Sequence, residues 1–396
     1  MVKIEPFEVE QWMDKYEVTP NVLNLAETCA ASISINDLTL LCEDPNIPHP
    51  LDLSRKLTYG EIRGSTALRD RLSSLYSAKT ASPLSTSNIL ITPGAISANF
   101  LLLYTLISPG DHVICMHPTY QQLYSVPSSL GATVSLWKLR REQKYIPDID
   151  DLKSLVKENT KMIIINNPNN PTGAITPKSV MTALVEFAKE RDIIILSDEV
   201  YRPLFHGIGP MDADFPPSIL SMGYNKAICT GSMSKAYSLA GIRVGWIAAR
   251  DPEIIEACAA ARDYTTISVS QLDDQIATYA MSGSVMHALL GRNIALAKRN
   301  VALLEKFIDN HSHICSWVKP VAGSTALVKF AKNGMVVDDV QFCKDLIENT
   351  KVMFVPASKC FGEEFKGSVR IGFCCETVVL EEGLRKLGEY IRATLV

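Results

Sequence analysis

A lysine follows directly on a short strand-like segment in the middle of the chain. The apolar run at 226–230 ends at Gly231, and Lys235 closes the string Ser232-Met233-Ser234-Lys235. A lysine just past a buried strand is a candidate for Schiff-base chemistry, because burial lowers the pKa of its ammonium group and frees the lone pair. A solvated surface lysine is the plainer alternative. Arg243 opens the next apolar run, where an ion pair at the strand end is its plainest role.

An acid and a tyrosine follow another buried run. The segment 192–197 is succeeded by Asp198-Glu199-Val200-Tyr201. A carboxylate at the tip of a buried strand is unfavourable unless a positive group meets it, and a protonated ring nitrogen would serve. The alternative is an aspartate that caps the start of a helix.

Two glycine-containing turns are further candidates for the functional site. Pro93-Gly94-Ala95-Ile96-Ser97 follows the run at 88–92 and opens a helix, so its backbone N–H groups suit a phosphate. Asn167-Pro168-Asn169-Asn170-Pro171-Thr172-Gly173 follows the run at 161–166 and forms a rigid polar loop. For the segment 93–97 the alternative is an ordinary strand–turn–helix junction without a ligand. For the segment 167–173 the alternative is a plain turn.

The elements that must position these residues alternate between strand and helix. Apolar runs at 88–92, 112–116, 132–137, 161–166, 192–197, 226–230 and 244–248 are separated by segments of helical length, such as 177–191. This alternation predicts an α/β fold in which a mostly parallel sheet has helices on both faces, giving three layers. We expect the large domain to span 46–285, and a smaller α+β domain to combine 1–45 with 286–396.

Composition excludes several classes of protein. The 396 residues are 47% hydrophobic, which argues against disorder, and the net charge of −4 argues against broad nucleic-acid binding. The ten cysteines include no Cys-x-x-Cys pair, so we predict no metal site. Scattered thiols, the absence of a signal-like segment and the absence of an 18-residue apolar run predict a cytoplasmic protein without a membrane span.

Three strings in this order give the chain a specific resemblance. Asn169-Asn170-Pro171-Thr172-Gly173, Ser197-Asp198-Glu199-Val200-Tyr201, and Ser232-Met233-Ser234-Lys235 with Arg243 are similar to the motifs of the class I/II aminotransferase family. That family belongs to the fold-type-I pyridoxal-phosphate enzymes, and the resemblance runs from about Tyr59 to Arg370. It implies the three-layer large domain, pyridoxal 5′-phosphate as the cofactor, an α-amino acid as the substrate and a homodimer with shared active sites.

The resemblance also implies catalytic roles. Lys235 would bind the cofactor covalently and then carry the substrate proton, and Asp198 would keep the pyridine nitrogen protonated. Tyr201 and Asn170 would donate hydrogen bonds to the phenolic oxygen of the cofactor. Arg370 would clamp the α-carboxylate of the substrate, which Asn170 would also help to bind.

The remaining implied residues hold the cofactor. Tyr120 would stack on the pyridine ring. The phosphate would be bound by four groups, namely the backbone of Ala95 and Ile96 together with Ser232 and Arg243. Tyr59 is similar to the tyrosine that reaches the phosphate of the neighbouring subunit.

Some features point away from the most common activity. Transfer of an amino group to a 2-oxo acid is the leading prediction, but Leu25-Ala26-Glu27 and Gly94-Ala95-Ile96-Ser97-Ala98-Asn99 resemble aminocyclopropanecarboxylate synthases. Capreomycidine synthase-like cyclases share the general layout. A lyase or cyclase acting by β- or γ-elimination or by ring closure is therefore the alternative. Glu27 would then bind or deprotonate part of the substrate, unless it is a surface glutamate. The polar string 262–266 has no assigned role.

Overall fold

The computed structural model describes residues 3–42, 44, 46–78, 80 and 82–395. The strands in these ranges are β1 (Leu23–Asn24), β2 (Ile89–Thr92), β3 (His112–His117), β4 (Thr133–Lys138), β5 (Thr160–Asn166), β6 (Ile194–Asp198), β7 (Ala227–Ser232), β8 (Gly245–Ala249), β9 (Cys315–Trp317), β10 (Thr325–Lys332), β11 (Met335–Val336), β12 (Val352–Met353), β13 (Val355–Pro356) and β14 (Ser368–Gly372).

The helices connect and cover these strands. They are α1 (Glu8–Tyr16), α2 (Ile35–Leu40), α3 (Thr66–Ser77), α4 (Gly94–Leu106), α5 (Gln122–Ser129), α6 (Ile149–Leu155), α7 (Lys178–Glu190), α8 (Pro252–Arg262), α9 (Gln271–Ala280), α10 (Gly283–Asn310), α11 (Asp339–Thr350), α12 (Ala357–Phe361) and α13 (Thr377–Thr394). None of the helices in the described part of the chain combines the length and apolarity needed to cross a bilayer.

The large sheet has seven strands in the order β2-β8-β7-β6-β5-β3-β4. All pairs are parallel except those of β8, which runs antiparallel to both β2 and β7. Alternate side chains of one strand enter two different cores: Ile163 and Ile165 pack on one face, and Met162 and Ile164 on the other. Burial of both faces explains why these strands read as continuous apolar runs. The predicted three-layer, mostly parallel α/β fold is confirmed.

A second sheet is built from the C-terminal part of the chain. It has the order β11-β10-β14-β13, with β9 also paired to β10, and its pairs are antiparallel. Helix α10 precedes it, and the predicted boundary between 285 and 286 falls in the first turn of this helix. The other predicted boundary follows Pro45, which lies outside the described residues. The division into 46–285 and 1–45 with 286–396 stays a prediction.

The N-terminal segment is attached to the C-terminal part of the chain. Leu23 of β1 pairs in parallel with Val352 of β12. The indole Nε1 of Trp12 donates a hydrogen bond of 2.8 Å to the carbonyl oxygen of Phe354. Both contacts attach the N-terminal segment to the stretch of chain that contains β12 and Phe354.

The unassigned string 262–266 begins with a structural residue. Arg262 is 2% exposed, and its guanidinium donates to the backbone carbonyl oxygens of Ile91 and Ile62. It therefore links the end of α8 to β2 and to the segment before α3. Tyr264, in contrast, is 93% exposed.

Candidate active site

The carboxyl ends of four strands meet at one edge of the large sheet. Asn166 lies opposite Asp198, and Asp198 lies opposite Thr230, at the ends of β5, β6 and β7. Gly245, the first residue of antiparallel β8, pairs with both Thr92 and Ser232. Parallel strand order thus brings together polar groups that are far apart in sequence, which is where open α/β sheets bind ligands.

These strand ends form the floor of a cleft of about 570 Å³. Every predicted site residue lines the cleft except Tyr59. The other walls come from α1, from the loop containing Glu27 and from Arg370 on β14. The volume lies within the usual range for small-molecule sites.

Asp198 is a buried carboxyl held by two hydrogen bonds. It is 3% exposed, and its oxygens accept from Asn99 Nδ2 at 3.1 Å and from the Val200 N–H at 3.2 Å. Burial raises the pKa of this carboxyl from its ordinary 3.8 to about 6, although both hydrogen bonds oppose the shift. A cationic ligand atom beside Asp198 would lower this pKa instead of raising it, so the site favours a protonated ring nitrogen.

The amine of Lys235 is fixed by the loop before α2. Nζ donates to Thr28 Oγ1 at 2.6 Å and to Cys29 Sγ at 3.5 Å, and it lies 3.7 Å from Glu27 Oε1. The prediction that burial lowers its pKa describes only one contribution. Burial does act downward, but Cys29, Tyr201 and Glu27 together outweigh it, and the net pKa shift of Lys235 is upward. The free lysine is therefore charged.

Glu27 is part of this arrangement rather than an unrelated surface glutamate. Its Oε1 accepts from the N–H groups of Thr28 at 2.6 Å and Cys29 at 2.9 Å. Burial alone would raise the pKa of Glu27, but Lys235 and these hydrogen bonds lower it to about 2. Gly372 of β14 permits the placement, because a Cβ there would overlap the carbonyl oxygen of Glu27.

The start of α4 and Arg243 form a corner suited to an anion. Pro93 gives α4 no side-chain cap, so the N–H groups of its first turn are free for a ligand. Gly94 has φ +79, and a Cβ on it would lie 2.6 Å from Arg243 Nη2. Arg243 Nη1 lies 3.4 Å from Ser234 Oγ, and Ser232 Oγ accepts from the Ser234 N–H at 2.8 Å. This corner fits a phosphate group.

Arg370 and Asn170 are joined across the cleft. Arg370 Nη1 donates to Asn170 Oδ1 at 3.3 Å, and Nη2 donates to the carbonyl oxygen of Ala26 at 2.8 Å. Arg370 is only 3% exposed, yet its Nε has no hydrogen-bond partner in the described structure. A buried, unsatisfied guanidinium N–H is costly, and because Arg370 lines the cleft, an anionic ligand group bound there would satisfy it.

The predicted aromatic residues occupy three different settings. Tyr201 is 3% exposed, and burial raises its pKa. Tyr120 lies in the cleft wall, and its hydroxyl donates to Glu10 Oε1 at 3.0 Å. Tyr59 is 76% exposed and does not line the cleft of its own chain, so its role in a neighbouring subunit stays a prediction.

Several residues of the site were missed by sequence reasoning. Asn99 and Thr28 hold Asp198 and Lys235, and Ser234 joins the anion corner. The amide side chain of Asn99, in a helix that is mostly apolar, was an available signal. No local pattern indicates that α1 lines the cleft, because distant contacts place it there.

The cleft fits pyridoxal 5′-phosphate by the chemistry of its groups. Asp198 is a buried carboxyl without a hydrogen-bonded counterion, the corner at Gly94 and Arg243 suits a phosphate, and the amine of Lys235 lines the same cavity. Ala95 and Ile96 also line the cleft, and their binding of the phosphate through backbone N–H groups stays a prediction.

Comparison with known proteins agrees with this geometry. Residues 47–387 match the family described as aminotransferase class I and II. A structure of a pyridoxal-phosphate-dependent aminotransferase from Streptococcus suis is 38% identical, with a TM-score of 0.89 over 99% of each chain.

Two curated proteins illustrate the range of relatives. An aspartate aminotransferase from Thermotoga maritima is 26% identical over 90% of this chain and 92% of its own length. Capreomycidine synthase from Streptomyces vinaceus is 28% identical over 76% of this chain and 74% of its own length.

The family and cofactor predicted from the motifs are confirmed, while the roles of individual residues remain predictions. With this match over most of the chain, the protein belongs to the class I and II aminotransferases and is a pyridoxal-phosphate-dependent enzyme.

Proposed function

We propose that the protein transfers the amino group of an α-amino acid to a 2-oxo acid. The observation that carries this proposal is the convergence of Lys235, Asp198 and Arg370 on one cleft. When bound, the cofactor supplies an aldehyde that accepts the amino group and a ring that makes the α-proton of the substrate acidic.

The protein's own groups would divide the remaining work. Asp198 would hold a proton on the ring nitrogen of the bound cofactor, and Lys235 Nζ would accept and return the proton of the substrate α-carbon. Asn170 uses Oδ1 to bind Arg370, which leaves its amide N–H groups for the phenolic oxygen together with Tyr201. Arg370 binds the α-carboxylate through its guanidinium.

A lyase or cyclase remains a second candidate because of one feature. The Glu27 carboxylate lies 3.7 Å from Lys235 Nζ and provides a second acidic group at the reacting end of the cleft. The relationship to capreomycidine synthase supports keeping this candidate.

A single-turnover experiment separates the two activities. The loaded enzyme is mixed with each amino acid in the absence of a 2-oxo acid. Transamination converts the cofactor to its amine form and releases one equivalent of the matching 2-oxo acid, without ammonia. Release of a leaving group or formation of a ring, with the cofactor unchanged after many turnovers, contradicts transamination.

The Arg370→Lys substitution is expected to cost about 2–4 kcal/mol in kcat/KM for amino acids, because an ammonium cannot reproduce two parallel hydrogen bonds to a carboxylate. Amines that lack a carboxylate should lose little rate. Steady-state kinetics with both substrate types test this. Equal losses for both types would make Arg370 structural. Arg262→Lys, another buried arginine but outside the cleft, controls for effects on folding.

We further propose a homodimer in which Tyr59 completes the partner's active site. Tyr59, Leu53 and Leu57 are 76%, 86% and 70% exposed on one segment, and exposed apolar residues in such a cluster mark an interface.

A cytoplasmic location is also proposed. Its support is the ten cysteines, all of which are free thiols.

Subunit mixing tests the shared site. Lys235→Ala and Tyr59→Ala are each expected to have low activity as pure proteins. A heterodimer has one site with an intact Lys235 and a partner Tyr59, so mixing after reversible dissociation should restore activity toward that of one site per dimer. Mixing without restoration, or full activity of a monomer, would contradict the shared site.

A further inference from the structure

The loop 25–31, which follows β1, is hydrogen-bonded to Lys235 through both its side chain and its backbone. Lys235 Nζ donates to Thr28 Oγ1 at 2.6 Å, and the N–H of Ala30 donates to the carbonyl oxygen of Lys235 at 3.1 Å. The Glu27 carboxylate is also near, but its Oε1 lies 3.7 Å from Nζ, beyond the roughly 2.7–3.2 Å of an N–H···O hydrogen bond. The amine therefore donates to a neutral hydroxyl although an acid lies beside it.

Thr28 has a fixed position in this loop. It is 7% exposed, and its carbonyl oxygen accepts from Ser324 Oγ at 2.5 Å. Its own N–H donates to Glu27 Oε1 at 2.6 Å, and the N–H of Ala31 donates to the carbonyl oxygen of Cys374 at 2.8 Å. Chain segments next to β10 and β14 thus hold the loop, so the Thr28 hydroxyl meets the amine at a defined point.

The surroundings of the amine favour its charged form. The titratable groups that face it from the described chain are Glu27, Cys29, Asp198, Tyr201 and Arg370. Burial and Arg370 lower the pKa of Lys235, but the other interactions outweigh them and the net shift is upward. A direct ion pair with Glu27 would be shorter and stronger than the present contact and would raise this pKa further.

Thr28 also joins the amine to a phenol. Because Nζ donates to the Thr28 oxygen, the hydroxyl hydrogen of Thr28 is left for an acceptor. Burial raises the pKa of Tyr201, and a hydrogen bond with the Thr28 side chain is among the interactions that oppose this rise. Thr28, Tyr201 and Lys235 all line the cleft. The proposed function gives roles to Tyr201 and Lys235 but none to Thr28.

We propose that Thr28 is a positioning residue for Lys235: its hydroxyl oxygen holds the free amine in the cleft and keeps it from forming a direct ion pair with Glu27. This inference rests on the proposed function and adds a residue to it. A direct ion pair would stabilise the ammonium, which cannot accept the proton of the substrate α-carbon.

The cofactor-free protein tests the setting of the amine without turnover. Only a neutral amine attacks an aldehyde, so the stopped-flow rate at which pyridoxal 5′-phosphate is captured reports the neutral fraction of Lys235. Thr28→Val keeps the shape of threonine without the hydroxyl and should capture the cofactor about tenfold more slowly, as a tenfold fall in that fraction requires. Thr28→Ser should stay close to the wild-type rate. So should Thr160→Val, which removes another hydrogen-bonded hydroxyl outside the cleft.

A Glu27→Gln background tests the stated cause. The amide oxygen of glutamine can still accept from the N–H groups of the loop, but it cannot form an ion pair with the amine. Thr28→Val should therefore slow capture much less in Glu27→Gln than in the wild type. An equal slowing in both backgrounds, or the same slowing in Thr28→Ser, would overturn the inference. Melting temperatures establish that each variant is folded.

Single-turnover reactions separate failure of this inference from failure of the proposed function. In Thr28→Val, but not in Thr28→Ser, the pH profile of cofactor conversion by an amino acid should move upward by about one pH unit. An unmoved profile in Thr28→Val overturns the inference while transamination stands. If no amino acid converts the cofactor of the wild type, the proposed function is wrong, and the capture rates still decide whether Thr28 keeps the amine from Glu27.

Discussion

Replacing Lys235 with alanine is expected to reduce turnover by about 10⁴-fold or more, because one side chain supplies both the covalent attachment and the proton transfer. The charged amine is held by Thr28 at 2.6 Å, so the deletion also leaves that hydroxyl without its partner. Single-turnover kinetics measure the loss. Small primary amines added to the solution should restore part of the rate, since they can replace the missing base.

A matched variant and a chemical label test the assignment. Lys226 lies just before β7 and pairs with Asp192 at 2.5 Å, outside the cleft, so Lys226→Ala should retain activity. Borohydride reduction followed by peptide mapping should place the cofactor on Lys235. A label on any other lysine would show that the cofactor attaches elsewhere.

The Asp198→Asn variant is expected to lose roughly 10²–10³-fold in kcat, because an amide cannot keep the ring nitrogen charged. Glu199→Gln is the matched control. Glu199 is a buried acid on the neighbouring position, but it pairs with Arg202 at 3.3 Å and does not line the cleft. A similar kcat loss in both variants would mean that the effect comes from folding.

The pKa of Asp198 also predicts a pH dependence. Its pKa rises from 3.8 in the unfolded chain to about 6 in the folded, cofactor-free protein. The contribution of Asp198 to the free energy of unfolding is therefore most favourable below pH 3.8, and it is lost as the pH rises through about 6. A ring cation lowers this pKa again. The stabilisation provided by the cofactor should therefore grow between about pH 4 and 6, in the wild type but not in Asp198→Asn, as measured by the melting temperatures of both forms.

Site residues that directly follow buried strands could be predicted from the sequence, because the end of a parallel strand has a known position in the sheet. Asp198 and Lys235 each come after an apolar run, and a parallel sheet must bring such strand ends to one edge. The direction of the Lys235 pKa was not predictable. It depends on Tyr201 and on Cys29 and Glu27, and the last two precede Lys235 by some two hundred positions.

The position of α1 at the cleft was unpredictable for a different reason. Glu10, Asp14 and Glu17 look like an ordinary solvated helix face, since nothing in their local pattern refers to a cleft. Their position follows from the contact between Trp12 and Phe354, two residues separated by 342 positions. Long-range packing of this kind leaves no periodic signal in a single sequence.

That same contact bears on how the chain is made. Trp12 emerges from the ribosome long before Phe354 exists, and at about 5–20 residues per second the 342 intervening positions take roughly 17–70 s. During this interval Val9, Trp12 and Met13, all buried in the finished molecule, lack the surface that covers them. The first helix to be synthesised is thus among the last to be packed. Until it docks, the nascent protein exposes an apolar segment that chaperones can bind.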